Sequence, residues 1–110
     1  MIVEYVRYRV QPGEGERLIQ AYERAAESLR RSAHCLGFEL SRCVEEPEQF
    51  VLRITWDSAE GHMTGFRKGP EFAAFFAAVQ PFVKAIEEMR HYALTEVRFE
   101  RSGRVAEPGA

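Results

Sequence analysis

The first ten residues alternate between two sets of side chains, and this alternation restricts the fold more than any other feature of the sequence. A mostly apolar set contains Ile2, Glu4, Val6, Tyr8 and Val10, and a mixed set contains Val3, Tyr5, Arg7 and Arg9. A period of two is that of a β-strand, whose successive side chains point to opposite faces. The pattern predicts a strand over 2–10, and the Pro12-Gly13 pair predicts a turn directly after it.

The next part of the chain predicts a helix and two strands. An amphipathic helix over 14–33 is indicated by an apolar stripe of Leu18, Tyr22, Ala25 and Leu29. Extended segments over 37–45 and 49–56 are separated by Glu46-Pro47-Glu48, which suits a hairpin turn.

The remaining residues predict a broken helix and a last strand. Asp57 or Ser58 can cap a helix over 58–88, and Pro70 and Pro81 suit the first turns of new helical pieces. Alternation returns over 89–99 and predicts the final strand. Two glycines and a proline in 101–110 predict a flexible C-terminal tail after a single domain over 1–100.

This order of elements predicts an α+β fold of the ferredoxin-like βαββαβ type, with a four-stranded antiparallel sheet and helices on one face. The other face would carry apolar side chains such as Tyr5, Val51 and Tyr92 mixed with Arg7 and Arg53. Such a face is too apolar to be fully exposed to water and too charged to form a hydrophobic core within one chain. We therefore expect a homodimer that packs sheet on sheet.

Charge and hydropathy exclude several classes of partner. Fifteen basic residues against seventeen acidic ones give a net charge of −2, which does not favour nucleic acid. No apolar run approaches the roughly 18 residues that cross a bilayer, and the first strand does not look like a signal peptide. We expect a cytoplasmic protein without a membrane partner, in which Cys35 and Cys43 are free thiols. No metal-ligand spacing, phosphate loop or nucleophile elbow is present, so we expect no metal site.

One run of residues resembles a known family. Residues 50–63, Phe-Val-Leu-Arg-Ile-Thr-Trp-Asp-Ser-Ala-Glu-Gly-His-Met, followed by Gly65-Phe66-Arg67 and Pro70-Glu71-Phe72, are similar to the antibiotic biosynthesis monooxygenase domain family. The resemblance extends over about residues 1–98 and implies a dimeric α+β barrel. It implies a pocket between sheet and helices, in a family whose members include oxygenases that act on phenols or quinols without a metal or flavin, haem-degrading relatives and proteins without a known activity. Haem-degrading relatives use an Asn on the first strand, and this chain contains no Asn.

An oxygenase without a cofactor needs a base that deprotonates a phenol or quinol, and a pocket that excludes water. His62 is the candidate catalytic base, because the ordinary pKa of histidine, near 6.5, suits proton transfer at neutral pH. It could equally lie on the helix surface or pack without a role. His91 on the last strand could line the pocket or pair across the sheet.

Glu4 would place a carboxylate among apolar neighbours, where it needs a partner. It could act as a second acid or base, orient a histidine, or form a salt bridge with an arginine. Tyr8 and Trp56 could stack on a planar ligand, or could simply belong to the core. The same choice holds for the aromatic stripe Phe66, Phe72, Phe75, Phe76 and Phe82, of which Phe66, Phe72 and Phe76 are our candidate pocket residues.

Two functions follow from these observations. The first is oxidation of a small phenolic or quinol compound with O₂, as the family resemblance implies. The alternative is a noncatalytic module of the same fold that binds a small aromatic ligand or serves assembly.

Overall fold

The computed structural model describes residues 1–101, which form one four-stranded antiparallel sheet and four helical segments. The elements are β1 (Ile2–Arg9), α1 (Gly15–Arg31), β2 (Cys35–Arg42), β3 (Gln49–Trp56), a π-helical turn (Gly61–Phe66), α2 (Phe72–Val79), a 3₁₀ turn (Gln80–Ala85) and β4 (Ile86–Ala93). The strand order in the sheet is β2-β3-β1-β4. The predicted ferredoxin-like α+β fold is therefore confirmed. The predicted tail lies outside the described residues except for Arg101.

The core lies between α1 and one face of the sheet, which we call the inner face. Val6 and Tyr8 of β1 lie opposite Leu52 and Phe50 of β3, and all four are buried. Leu18, Tyr22, Ala25 and Leu29 of α1 are buried against this face, as the helix periodicity predicted. Gly13 has a φ of 87°, which a residue with a Cβ adopts only with strain, so the Pro-Gly pair does form the turn before α1.

The last strand is shifted from its predicted position of 89–99 to Ile86–Ala93. β4 pairs only with β1, and Ile2 at the start of β1 lies opposite Ala93. The Leu94 N–H still donates to the carbonyl of Met1 at 3.1 Å, but residues 95–99 pair with no strand of the described residues, so alternation alone extended the prediction too far. The predicted helical region consequently ends at Ala85 instead of residue 88.

The hairpin between β2 and β3 is longer than predicted. β2 ends at Arg42, and the backbone N–H of Cys43 donates to the carbonyl of Gln49 at 2.8 Å. The connection therefore includes residues 43–48 and not only the three turn residues. β3 has the predicted bounds.

The outer face of the sheet, opposite the helices, is partly exposed. Tyr5 and Tyr92 pack edge to face there, with ring centroids 5.4 Å apart. Arg53 pairs with Glu39, which lies directly opposite on β2. Because both strands belong to the same chain, this ion pair forms within one protomer and not between two. Within residues 1–101, no helix is both long and apolar enough to cross a membrane.

Candidate active site

A cavity of about 190 Å³ lies between the inner face and the helical segments that follow β3. Its walls are mostly apolar and include Val6, Leu52, Ile54, Phe66, Phe72 and Phe75. An engineered apolar cavity of about 150 Å³ holds a benzene molecule, so this cavity has room for a compound of one or two rings. The polar residues of its lining are Glu4, Tyr8, Tyr22, His62 and Arg67.

Glu4 is the centre of a buried polar cluster. The residue is only 5% exposed, and its Oε1 accepts a hydrogen bond from the indole Nε1–H of Trp56 at 3.0 Å. His62 Nδ1 lies 3.7 Å from Oε1, and His91 Nε2 lies 3.7 Å from Oε2. Of the alternatives for Glu4, the structure shows the carboxylate facing two histidines, and in the part of the chain that the structure describes it pairs with no arginine.

The two histidines also contact each other. His62 Nε2 and His91 Nε2 are 3.2 Å apart. At this distance, the nitrogen that carries a proton donates a hydrogen bond to the other. His91 reaches this position because it lies directly opposite Glu4 in the β1–β4 register. Glu4, His62 and His91 thus form a triad from two adjacent strands and the π-helical turn. One nitrogen or oxygen atom of each lies within 4.8 Å of the other two, close enough to share a metal ion.

His62 is 4% exposed, and its Nδ1 has no hydrogen-bond partner among residues 1–101. Burial lowers the pKa of this imidazole below its ordinary value. The carboxylate of Glu4 raises the pKa in part, and the nearby positive charges of His91 and Arg67 lower it further. The net effect favours a neutral imidazole, the form that accepts a proton or binds a metal.

The π-helical turn that carries His62 is fixed by contacts on its far side. Ser58 Oγ, one of the two predicted capping groups, accepts a hydrogen bond from the Gly61 N–H at 2.9 Å at the start of the turn. The ring of His34 packs so closely against Gly61 and Gly65 that a Cβ at either glycine would collide with it. Asp57 Oδ2 lies 2.9 Å from His34 Nδ1 and holds the ring in place. This role of His34 in the turn was not predicted from the sequence.

The predicted aromatic residues line the cavity but differ in burial. Trp56 is fully buried, and its ring contacts those of His62 and Phe66, with centroids 4.7 and 5.0 Å away. Phe72 is half-buried and stacks on Phe76 at a centroid distance of 5.7 Å. Phe76 is 42% exposed, so it forms part of the cavity mouth.

The second polar group of the cavity is a tyrosine pair. Tyr8 of β1 and Tyr22 of α1 are hydrogen-bonded through their hydroxyl groups, and both line the cavity. Burial raises the pKa of each hydroxyl above the ordinary value, so both remain protonated. Tyr8 was a predicted ligand contact. Tyr22 was assigned only to the core, because its place on the apolar stripe of α1 does not reveal the partner across from it.

Comparison with known proteins places this chain in a family. The sequence profile of the antibiotic biosynthesis monooxygenase family matches residues 1–78. The chain belongs to this family. The matched range includes Glu4, Trp56 and His62, whereas His91 lies beyond it.

Relatives of known sequence are distant. The uncharacterized protein YczJ of Bacillus subtilis is 24% identical over 92 residues, which cover 84% of this chain and 97% of YczJ. Protein SchA of Streptomyces halstedii is 23% identical over 94 residues, which cover 86% of this chain but only 24% of SchA. Neither name states a reaction that could be transferred to this family member.

Solved structures give the same fold. A Bordetella bronchiseptica protein whose name assigns it to the family has a TM-score of 0.69 at 25% identity, over 86% of this chain and 96% of its own. Rv0793 from Mycobacterium tuberculosis also has a TM-score of 0.69, at 16% identity, over 88% of this chain and 98% of its own. At such identities the comparison shows a shared fold but assigns no role to individual residues of this chain.

Proposed function

We propose that this protein is a monooxygenase that oxidises a small phenolic or quinol compound with O₂ in the cavity beside Glu4 and His62. The observation that carries the proposal is the position of a buried imidazole, His62, beside Glu4 in the lining of an aromatic-walled cavity. Such a cavity binds a planar ring through apolar contact and lets its hydroxyl group meet the imidazole.

In this proposal His62 is the catalytic base and needs no cofactor. It accepts the hydroxyl proton, and the resulting electron-rich anion reacts with O₂. One oxygen atom replaces a ring hydrogen as a hydroxyl group, the other leaves as water, and the quinol becomes a quinone. The substrate supplies all the electrons, so the reaction requires no external reductant. Glu4 stabilises the imidazolium that forms, because its carboxylate lies 3.7 Å from His62 Nδ1.

The remaining residues of the proposed site bind the ring. Phe66, Phe72 and Phe76 supply the apolar wall, and Trp56 supports both this wall and Glu4. Tyr8 lies at the far end of the cavity, where its hydroxyl group can meet a second oxygen of the substrate. His91 borders the reacting end through its contact with His62.

Assembly is part of the proposal. The outer face exposes Tyr5 and Tyr92 beside charged residues, which suits burial against the same face of a second copy. We propose a homodimer of this kind, a dimeric α+β barrel, working in the cytoplasm. Each cavity lies on the helix-covered side of its own sheet, so dimerisation leaves the inner face unchanged.

The test is dissolved-oxygen uptake with a panel of one- and two-ring hydroquinones. The wild-type chain is compared with His62→Gln and with Met63→Gln, which introduces the same amide on the exposed side of the same turn. A lost general base lowers the rate by about 100-fold or more, so His62→Gln should be nearly inactive and Met63→Gln unchanged. Equal uptake by His62→Gln would contradict the base assignment. Absence of uptake across the panel would contradict the oxygenase and favour the ligand-binding module.

A further inference from the structure

We propose that Glu4, His62 and His91 bind one divalent transition-metal ion, Zn²⁺ being the probe with which to detect it. Two imidazoles and one carboxylate are a ligand set of catalytic zinc sites and of non-haem iron sites. No such site was expected from sequence, because the three residues are separated by 58 and 29 positions and follow no metal-binding spacing.

The distances suit a metal ion. Metal–imidazole bonds are about 2.0–2.1 Å long, so two neighbouring ligating nitrogens lie about 2.8–3.4 Å apart in octahedral or tetrahedral geometry. His62 Nε2 and His91 Nε2 are 3.2 Å apart. Glu4 Oε2 is 3.7 Å from His91 Nε2, and one ligand atom of each of the three residues lies within 4.8 Å of the others, so metal binding would draw the Glu4 carboxylate closer to the two imidazoles.

The cluster also leaves one buried polar atom without a partner. Within residues 1–101, His62 Nδ1 has no hydrogen bond, and Glu4 Oε1 lies 3.7 Å from it. An unpaired buried polar group costs about 1–3 kcal/mol. A cation bound between the Glu4 carboxylate and the two imidazoles would offset part of this cost, because it interacts with lone pairs of all three groups.

The surrounding structure holds the three metal-ligating side chains in position before an ion binds. Trp56 Nε1–H donates to Glu4 Oε1 and leaves Oε2 free for the ion. Glu4 and His91 are fixed by direct pairing of β1 with β4, and His62 by the turn that packs on His34. Glu4 and His62 border the cavity, so a further coordination position would face the space that a water molecule or a phenolate oxygen can enter.

Metal binding goes beyond the proposed function and does not depend on it. Its effect on catalysis does rest on the proposed function, because an ion on His62 Nε2 occupies a nitrogen of the imidazole that serves as base. Redox-inert Zn²⁺ should therefore inhibit oxygen uptake over the same concentration range in which it binds.

The experiment titrates chelator-treated full-length protein with Zn²⁺ by isothermal calorimetry and follows thermal unfolding in parallel. We expect one ion per chain, a higher unfolding temperature with Zn²⁺, and at least tenfold weaker binding in Glu4→Gln and in His91→Gln. The half-exposed position of His91 makes His91→Gln the variant with less effect on folding. Glu88→Gln is the matched control, since Glu88 lies opposite Arg7 on the outer face.

A second control is the double variant Cys35→Ser and Cys43→Ser, which removes both thiols and should bind Zn²⁺ as the wild type does. Loss of binding in this variant, unchanged binding in both cluster variants, or no stoichiometric binding by the wild type would each overturn the metal site. Binding that depends on the cluster but stimulates oxygen uptake would support the metal site and contradict the proposed base. The two proposals can therefore fail separately.

Discussion

The two faces of the sheet differ in how their polar residues are used, although they alternate along the same strands. On the inner face Glu4 is 5% exposed and is surrounded by Trp56, His62 and His91 from three other elements. On the outer face the next residue, Tyr5, is 36% exposed and contacts Tyr92 beside Arg53. One face concentrates buried polar groups beside a cavity, and the other spreads aromatic and charged groups over a surface.

This difference shows that adjacent residues of one strand can serve separate tasks. Glu4 and His91 are paired on the inner face, and their neighbours Tyr5 and Tyr92 contact each other on the outer face. If the inner face holds the site and the outer face holds the dimer interface, substitutions on one face should leave the property of the other face intact. The following predictions test that separation, from the largest expected effect to the smallest.

Tyr92→Glu should dissociate the proposed dimer. A carboxylate buried without a partner costs about 3 kcal/mol or more, which weakens association by about 100-fold or more. Light scattering over a range of protein concentrations would measure the change, and Tyr92→Phe is the control that keeps the ring. A wild-type monomer, or a dimer that tolerates the glutamate, would contradict the interface. His62→Gln should not alter the association.

Trp56→Phe should destabilise the inner face. The variant removes the indole N–H from Glu4, and a hydrogen bond to a charged group contributes about 1.5–3 kcal/mol. We expect a loss of about 3 kcal/mol in the free energy of unfolding, because the smaller ring also leaves unfilled space. Urea unfolding followed by circular dichroism would measure it. Thr55→Val, on the outer face of the same strand, should change the free energy of unfolding by less than about 1 kcal/mol. An equal loss in both variants would contradict the predicted difference between the two faces.

Gly65→Ala should disturb the turn that positions His62. The added methyl group would collide with the His34 ring, and overpacking of this kind costs about 1–3 kcal/mol. Gly37→Ala is the matched control, since a Cβ there has no atom within 4 Å. Thermal unfolding of the two variants would compare them, and combining Gly65→Ala with His34→Ala should recover part of the loss. Equal stability of the two alanine variants would show that His34 does not brace the turn.

Local patterns were enough to predict the fold, and the site was predicted only in part. Strand alternation and helix periodicity gave the element order, and His62, Trp56 and Glu4 were recognised as candidates. The contact between His62 and His91 depends on the register of β4, which sequence alternation placed three residues too late. The pairing of Tyr8 with Tyr22, and the packing of His34 on two glycines, depend on how α1 and the π-helical turn sit on the sheet.

The central claim is that an aromatic compound binds in the inner-face cavity, and Trp56 offers a direct measurement of it. Trp56 is the only tryptophan of the chain, and its ring borders both the cavity and His62. Anaerobic titration with a two-ring hydroquinone, followed by tryptophan fluorescence, should give a saturable change in emission with one ligand per chain. Phe72→Ala should weaken this binding, whereas Tyr92→Phe should leave it unchanged. Emission that stays constant across the hydroquinone panel, or that changes equally in all three proteins, would contradict the claim.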